Sequence, residues 1–552
     1  MPEKVKSIPR ASKTLKALSD IGYDINAAIA DILDNSITRG KAKNIYIFFL
    51  KDKNGKFNLG IFDDGIGMNS KTLEEAMRFG SETNKYEKGD LSKYGMGMKT
   101  ASMSQAYKLT VISRKKNCSL TSYSFDKHHI NKFNEWEILK YNNLEIEQIL
   151  KKLTRVTFSK EKEVLKNLIL KKSWTIILWN DLEEFQNNYD SYESNVRSQN
   201  FYHRTVDNLS IYLRLVFNRF LSGENNVKKT KIYLNSIKLN ALDPFSRNEN
   251  HTYEKLLSEQ NGNFEIEENL KPIVIKRYIL PTNPSKLGSY KFSSFDSWDE
   301  SKGTLSWNEA QGYYVYRNNR LINWGGWYKT KALDEHDKLA RASIDLTEDH
   351  DKLFKIDIKK TKIQFPERLK NHLKDYVNKG FISEAKKRYA VEDKKSIIIS
   401  NSLREKTRKV SHLSSELVQA DNISVTEFNN KGDLLIQNKY GSRLSDDLTY
   451  KMLEAGKKII SKSFGDDTLL WKMIPSPLNE FQVIVNTDHP LYDIVYGDSE
   501  KDKKVTAILD AFFFTMSFIE LKCITNNNEM LFEQMKEVAS FVLKKFVNEK
   551  IL

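Results

Sequence analysis

The sequence predicts an α+β protein of three domains with a short basic linker, and three observations predict it. At 552 residues the chain is longer than one hydrophobic core organises. In its first third, strand-type alternation from Asn44 to Lys51 and from Lys56 to Phe62, around an Asp52-Lys-Asn-Gly55 turn, follows a helix-type repeat over Ile25 to Thr38. The same mixture returns twice. Helical spacing from Tyr202 to Phe220 precedes a strand-like Lys231 to Leu239, and a strand-like Phe481 to Asn486 precedes helical Val505 to Lys522 and Met530 to Asn548. The expected divisions are 1–185, 186–380, a basic helical linker 381–409, and a C-terminal α/β domain 410–552.

Three segments of the first domain carry chemistry. Asp31, Asp34, Asn35 and Thr38 fall on one face of the first helix, with Ile25, Ile29, Ile32 and Leu33 opposite. Acids three residues apart on a helix repel by a few tenths of a kcal/mol or so unless a cation or donor lies between them. A ligand-holding face and a solvated face both fit that pattern. The return strand ends on Asp63, and Asp63-Asp64-Gly65-Ile66-Gly67-Met68 follows, where glycines let the backbone come close to a flat or charged ligand. Tyr94-Gly95-Met96-Gly97-Met98-Lys99-Thr100 then opens a helix-like stretch to Gln105, which aims N–H groups and a positive helix end at an anion. The Gly-Lys-Ser/Thr ending of a Walker loop is absent.

These three segments, in this order and at this spacing, with Thr175 on a later strand in the stretch Ser173 to Leu182, resemble the nucleotide-binding domain of the GHKL ATPases. That superfamily holds gyrase B, a heat-shock chaperone, histidine kinases, MutL and MORC proteins. The wording of the motifs is most similar to the prokaryotic MORC-like and MutL-like branch, and Gly312-Tyr-Tyr-Val-Tyr-Arg317-Asn-Asn-Arg320-Leu-Ile resembles that branch's second domain. The resemblance implies a Bergerat-type α/β sandwich, then a transducer-like β-sheet domain with a crossover helix. It implies ATP and Mg²⁺ as cofactors, Asp31 as general base, Asn35 as metal ligand and Asp34 beside them. Asp63 would accept the adenine amino group, Gly65, Gly67 and Met68 would shape that wall, and Thr175 would support it. Gly95, Gly97, Met98, Lys99 and Thr100 would hold the phosphates, and Gly80 to Asp90 would be a lid. The usual base is Glu, so this chain is shorter there by one methylene. Lys360, with Lys359 as runner-up, would reach the γ-phosphate from the second domain; an edge strand protected by lysines reads the same way.

Composition narrows the partners. Lys+Arg of 88 against Asp+Glu of 73 leaves +15, which favours a polyanion. The densest basic run, Lys386 to Lys409, is the expected contact to DNA, without a base-reading motif, so any contact would be largely sequence-independent. Cys118 and Cys523 fit a reducing compartment, Met1 to Arg10 has no apolar core, and Ala511 to Ile519 is too short to span a bilayer. A cytoplasmic protein with no membrane contact is expected. His128-His129 lack a third ligand at metal spacing and read as solvent-facing, and Asp488-His489-Pro490 reads as a loop before a helix. No nuclease constellation and no phosphoacceptor histidine are found. The functional expectation is a Mg-dependent ATPase that closes as an ATP-dependent homodimer clamp on DNA, in a prokaryotic defence or restriction-like system. The alternative is a weakly hydrolysing switch that controls a partner effector protein.

Overall fold

The computed structural model describes residues 10–19, 23–51, 56–79, 91, 97–156, 159–183, 196–255, 263–284, 290–356, 363–389, 413–427, 433–445, 458–477, 480–497, 503–525 and 528–549. Gly95, Lys359, Lys360, the lid 80–90 and the basic residues 394–409 lie outside them.

The N-terminal unit is built on an eight-stranded sheet in the order β5-β4-β3-β6-β2-β1-β7-β8. Its strands are β1 (Asn44–Lys51), β2 (Phe57–Asp63), β3 (Ala106–Arg114), β4 (Thr121–Asp126), β5 (Leu139–Lys140), β6 (Trp174–Leu182), β7 (Lys231–Leu234) and β8 (Ile237–Lys238). All neighbours run antiparallel except β1 and β7. Successive side chains of a strand point to opposite faces, and here both faces are buried. Ile45, Ile47 and Phe49 join one core together with helices α1 (Ala11–Ser19), α2 (Ile25–Thr38), α4 (Gly97–Gln105) and the long helix Val196–Val216. Phe48, Leu50, Trp174 and Ile176 join another, under α6 (Asn143–Val156) and α7 (Ser159–Ile169). The shorter α3 (Ser70–Met77) and α5 (Lys127–Phe133) flank β4 and β3.

This unit runs past the expected boundary at 185. Leu209, Leu213, Phe217, Ile232 and Leu239 belong to its first core, and β7 extends its sheet beside β1. Local periodicity found the helix, but the stretch expected as one strand, Lys231 to Leu239, is the tight hairpin of β7 and β8. Periodicity could not show that β7 pairs with a strand nearly two hundred residues earlier.

A second sheet of six strands follows, β10-β11-β14-β12-β13 with β9 on β11. It comprises β9 (Tyr253–Lys255), β10 (Asn263–Phe264), β11 (Ile273–Ile279), β12 (Gly312–Arg317), β13 (Arg320–Trp324) and β14 (Ala340–Leu346). Its core, rich in Trp and Tyr, continues into Leu369, Leu373, Phe381 and Ala385, so the helical stretch 381–389 packs on this domain. The C-terminal part has its own core over β15–β17 (Ser424–Glu427, Leu434–Asn438, Gly441–Ser445), β18–β20 (Ile459–Lys462, Trp471–Ser476, Glu480–Asn486) and helices Pro490–Tyr496, Lys503–Cys523 and Glu529–Asn548. His489 caps the first of these helices: its Nδ1 accepts from Leu491 N–H at 3.2 Å while Nε2 meets the Ser540 carbonyl at 3.0 Å. Burial pushes this imidazole down to about 4, so it is a neutral structural cap. Among the described residues no helix is long and apolar enough to cross a membrane.

Candidate functional site

Helix α2 positions the first group of side chains. Asp24 N-caps it by accepting from Asn26 and Ala27 N–H, and Gly40 closes its end on the Asn35 carbonyl. Its polar face is not a fully solvated one: Asp31 is 3 % exposed and Asp34 0 %, while Asn35 and Thr38 beside them are half-buried. Tyr23 donates its hydroxyl to Asp31 Oδ2 at 3.1 Å, and Asn35 donates Nδ2 to the Asp31 carbonyl at 2.9 Å. Asp34 accepts from Arg320 of β13, an ion pair with both side chains buried.

The strand end carries the second group. Asp63, at the end of β2, lies opposite Thr175 of β6. Its Oδ2 accepts from Ser36 Oγ at 2.9 Å and its Oδ1 from Gly65 N–H at 3.0 Å. A carboxylate offers about four acceptor positions, so two partners leave capacity for a ligand donor. Burial pushes this carboxyl up to about 6, against the lowering by Gly65 and Ser36. The following turn permits no side chain at Gly67: its φ is +65° and a Cβ would stand 1.9 Å from the Arg114 carbonyl. Gly65 is as crowded, with a Cβ 2.4 Å from the Gly40 carbonyl. Met68 N–H donates to Ser113 Oγ at 2.8 Å, and that hydroxyl lies 2.9 Å from Thr175 Oγ1. Ser113 therefore ties the glycine turn to the Thr175 strand.

The third group enters at the start of α4. A Cβ on Gly97 would stand 3.0 Å from Asp31 Oδ2, so the helix N-terminus and α2 meet through a bare backbone. Met98 packs against the first core, and Thr100 is buried with Oγ1 on the Gly97 carbonyl at 3.3 Å. Lys99 is buried as well. Its ammonium donates to the Ala76 carbonyl at 3.0 Å and the Arg78 carbonyl at 2.6 Å, closing the end of α3, and it lies 5.6 Å from the Phe79 ring. Burial lowers it to about 8.

Helix α2, the turn after β2 and the start of α4 thus bring Asp31, Asn35, Asp63, Gly65, Gly67, Gly97 and Thr175 to one end of the sheet. Sequence reasoning missed Tyr23, Ser36, Ser113 and Arg320. Ser36, adjacent to Asn35, carried a local signal, and Arg320 stood in the second-domain motif without a role at the site. His128 is exposed and stacks on Tyr107, and His129 pairs with Glu137 at 2.7 Å. Lys386, at the start of the basic run, pairs with Asp334 at 2.5 Å. Arg388 donates to the His251 carbonyl at 2.9 Å.

The set fits a purine nucleotide with a divalent cation. Asp63 keeps acceptor capacity at a buried strand end, the bare Gly97 backbone stands beside Asp31, and the Asn35 amide supplies a hard oxygen donor of the kind Mg²⁺ takes. Residues 23–160 match the model of a family described as Histidine kinase-, DNA gyrase B-, and HSP90-like ATPase. That span holds every site residue named above except Thr175 and Arg320, and it supports the GHKL superfamily for this segment. A comparison with curated proteins finds no match for the chain.

Proposed function

We propose that this protein binds and hydrolyses ATP with Mg²⁺ and uses the cycle as a conformational switch. The observation that carries the reading is the meeting of Asp31, Asn35 and the bare Gly97 backbone at one end of the site, with the buried Asp63 at the other. Asp63 would recognise the adenine amino group as an acceptor. The Gly97 turn would approach the phosphates through its backbone, and Asn35 would take the cation through its amide oxygen. The bound cation would supply charge neutralisation at the phosphates. Asp31, oriented by Tyr23, would accept the proton of an attacking water as general base. Arrangement into a Bergerat-type sandwich with a transducer-like second domain is part of the same reading.

A clamp follows from the second domain seated on the first. ATP would favour a closed state in which two chains meet, and hydrolysis would release it, provided that ATP binds the closed state better. The charge of +15 supports DNA as the clamped object, and a role in prokaryotic defence rests on the family resemblance alone. Lys386 and Arg388 are tied into the second domain, so within the described part of the basic run such contact falls to the exposed Lys387.

One observation favours the second reading, a switch that controls an effector and hardly turns over. Asp31 is short for a base, and its carboxylate already holds the Tyr23 hydroxyl. Phosphate release from Mg-ATP, with and without duplex DNA, decides between the two. Turnover that Asp31→Ala abolishes supports the ATPase, and DNA stimulation supports the clamp. ATP binding without turnover in either protein supports the switch, and no binding refutes both.

A further inference from the structure

Asp34 stands one residue before Asn35 and three after Asp31, so the three share one turn of α2. Its partner, Arg320, begins β13 and lies 286 residues further along the chain. The guanidinium Nε donates to Asp34 Oδ1 at 2.7 Å, with side chains 3 % and 0 % exposed. The carboxylates of Asp34 and Asp31 and the Tyr212 hydroxyl all act on it electrostatically, and it sits 5.8 Å from the Phe217 ring. At the other end of the same four-residue turn, Arg317 grips Asp351 through Nε at 2.7 Å and a terminal nitrogen at 2.9 Å. Its remaining terminal nitrogen donates to the Leu91 carbonyl at 3.4 Å. The β12–β13 turn therefore touches the first unit at α2 and again at Leu91.

Stability alone does not explain an ion pair at that place. The attraction in a buried pair is largely offset by desolvation, and apolar residues of similar volume hold an interface as well. What the pair adds is direction: Nε of a planar guanidinium fixes one oxygen of one carboxylate.

We propose that Arg320 is a positioning residue for the hydrolysis proposed above. By holding Asp34 it sets the turn of α2 that carries Asp31 and Asn35, so the geometry of the phosphate end and the seating of the second sheet are one equilibrium. The inference rests on the ATPase reading. It makes the coupling reciprocal: nucleotide at the phosphate end changes how firmly the β12–β13 hairpin is seated, and the hairpin changes turnover without touching the base end.

Arg320→Ala strands a buried carboxylate and risks misfolding, so the informative variants are Arg320→Lys and the neutral pair Asp34→Asn with Arg320→Gln. Glu520→Gln, at the buried Lys536–Glu520 pair of the C-terminal helices, is the control for a loss of stability away from the site. Two measurements are made on the full chain: kcat and KM for Mg-ATP, and amide exchange of residues 312–324 with and without a non-hydrolysable ATP analogue. The expected result in the neutral pair is kcat lower by about tenfold or more with KM within about threefold, partial recovery in Arg320→Lys, and wild-type kcat in Glu520→Gln. Nucleotide should slow hairpin exchange in the wild type and leave it unchanged in the neutral pair. Wild-type kinetics in the neutral pair, an equal kcat loss in the control, or nucleotide binding that leaves wild-type hairpin exchange unmoved would each overturn the inference and spare the ATPase reading. Absence of nucleotide binding to the wild type would overturn that reading and the inference with it.

Discussion

The two ends of the site are held in different ways. The Asp63 end is closed within the N-terminal unit itself: Ser36, Gly65, Ser113 and Thr175 bond it from α2, its own turn and two adjacent strands. The Asp31 end depends on neighbours that come from further off, a tyrosine ahead of the helix, the bare start of α4, and an arginine of the second sheet. A pre-organised wall can recognise a ligand without rearranging. An end assembled from three directions can instead report whether the assembly is complete, and this is the property a switch needs.

If the ends divide recognition from chemistry in this way, substitutions should split cleanly between affinity and rate. The largest effect is expected at the assembled end. Asp31→Asn keeps the shape and the Tyr23 hydrogen bond but removes the base, so kcat should fall by about 10²–10⁴-fold. Nucleotide affinity by calorimetry should stay within about threefold. An equal loss in affinity would place Asp31 among the binding residues and blur the comparison.

At the pre-organised end, Gly67→Ala should reverse that pattern. The added methyl group meets the Arg114 carbonyl at 1.9 Å and the φ of +65° is unfavourable for Ala, so the turn must move. Overpacking and strain together cost about 3 kcal/mol of folding stability, and the displaced turn should weaken nucleotide binding by about tenfold or more. A variant that binds normally would show that this wall does not contact the ligand.

Lys99 tests where the boundary between the ends runs. Its ammonium closes the carbonyl end of α3, so Lys99→Met should lower folding stability by about 1–3 kcal/mol through unsatisfied carbonyls. A melting curve in the absence of nucleotide measures this. Unchanged stability with lost ATP binding would instead make Lys99 a phosphate ligand first.

How much of this was legible in the sequence follows from the range of each contact. The spacing of Asp31, Asp34 and Asn35 on one helix, and the hairpin that ends on Asp63, are local and could be read directly. Burial of that helix face could not, since its cover comes from Gly97 and from Arg320, which is 286 residues away. The boundary at 185 failed for the same reason: β7 joins β1 in parallel, and no local signal marks a parallel pairing. Lys99 shows a subtler limit. A lysine behind two glycines suggests a point charge for an anion, yet α3 offers carbonyls at its open end and the ammonium goes there.

The smallest expected effect, and the one that probes the Asp63 end without a substitution, is a pH dependence. This carboxyl sits at about 6 because burial disfavours its charged form. An adenine amino group donates, so it needs the ionised carboxylate as acceptor and holds that form when bound. Affinity should therefore be full above pH 6 and decline as the pH falls through 6, by about tenfold at pH 5, where only about a tenth of the free sites are ionised. Asp63→Asn should bind more weakly at pH 7.5 and show a flat profile between pH 7.5 and 5. If wild-type affinity rises on acidification, the protonated carboxyl is the donor, and the group it recognises is a ring nitrogen or carbonyl in place of an amino group.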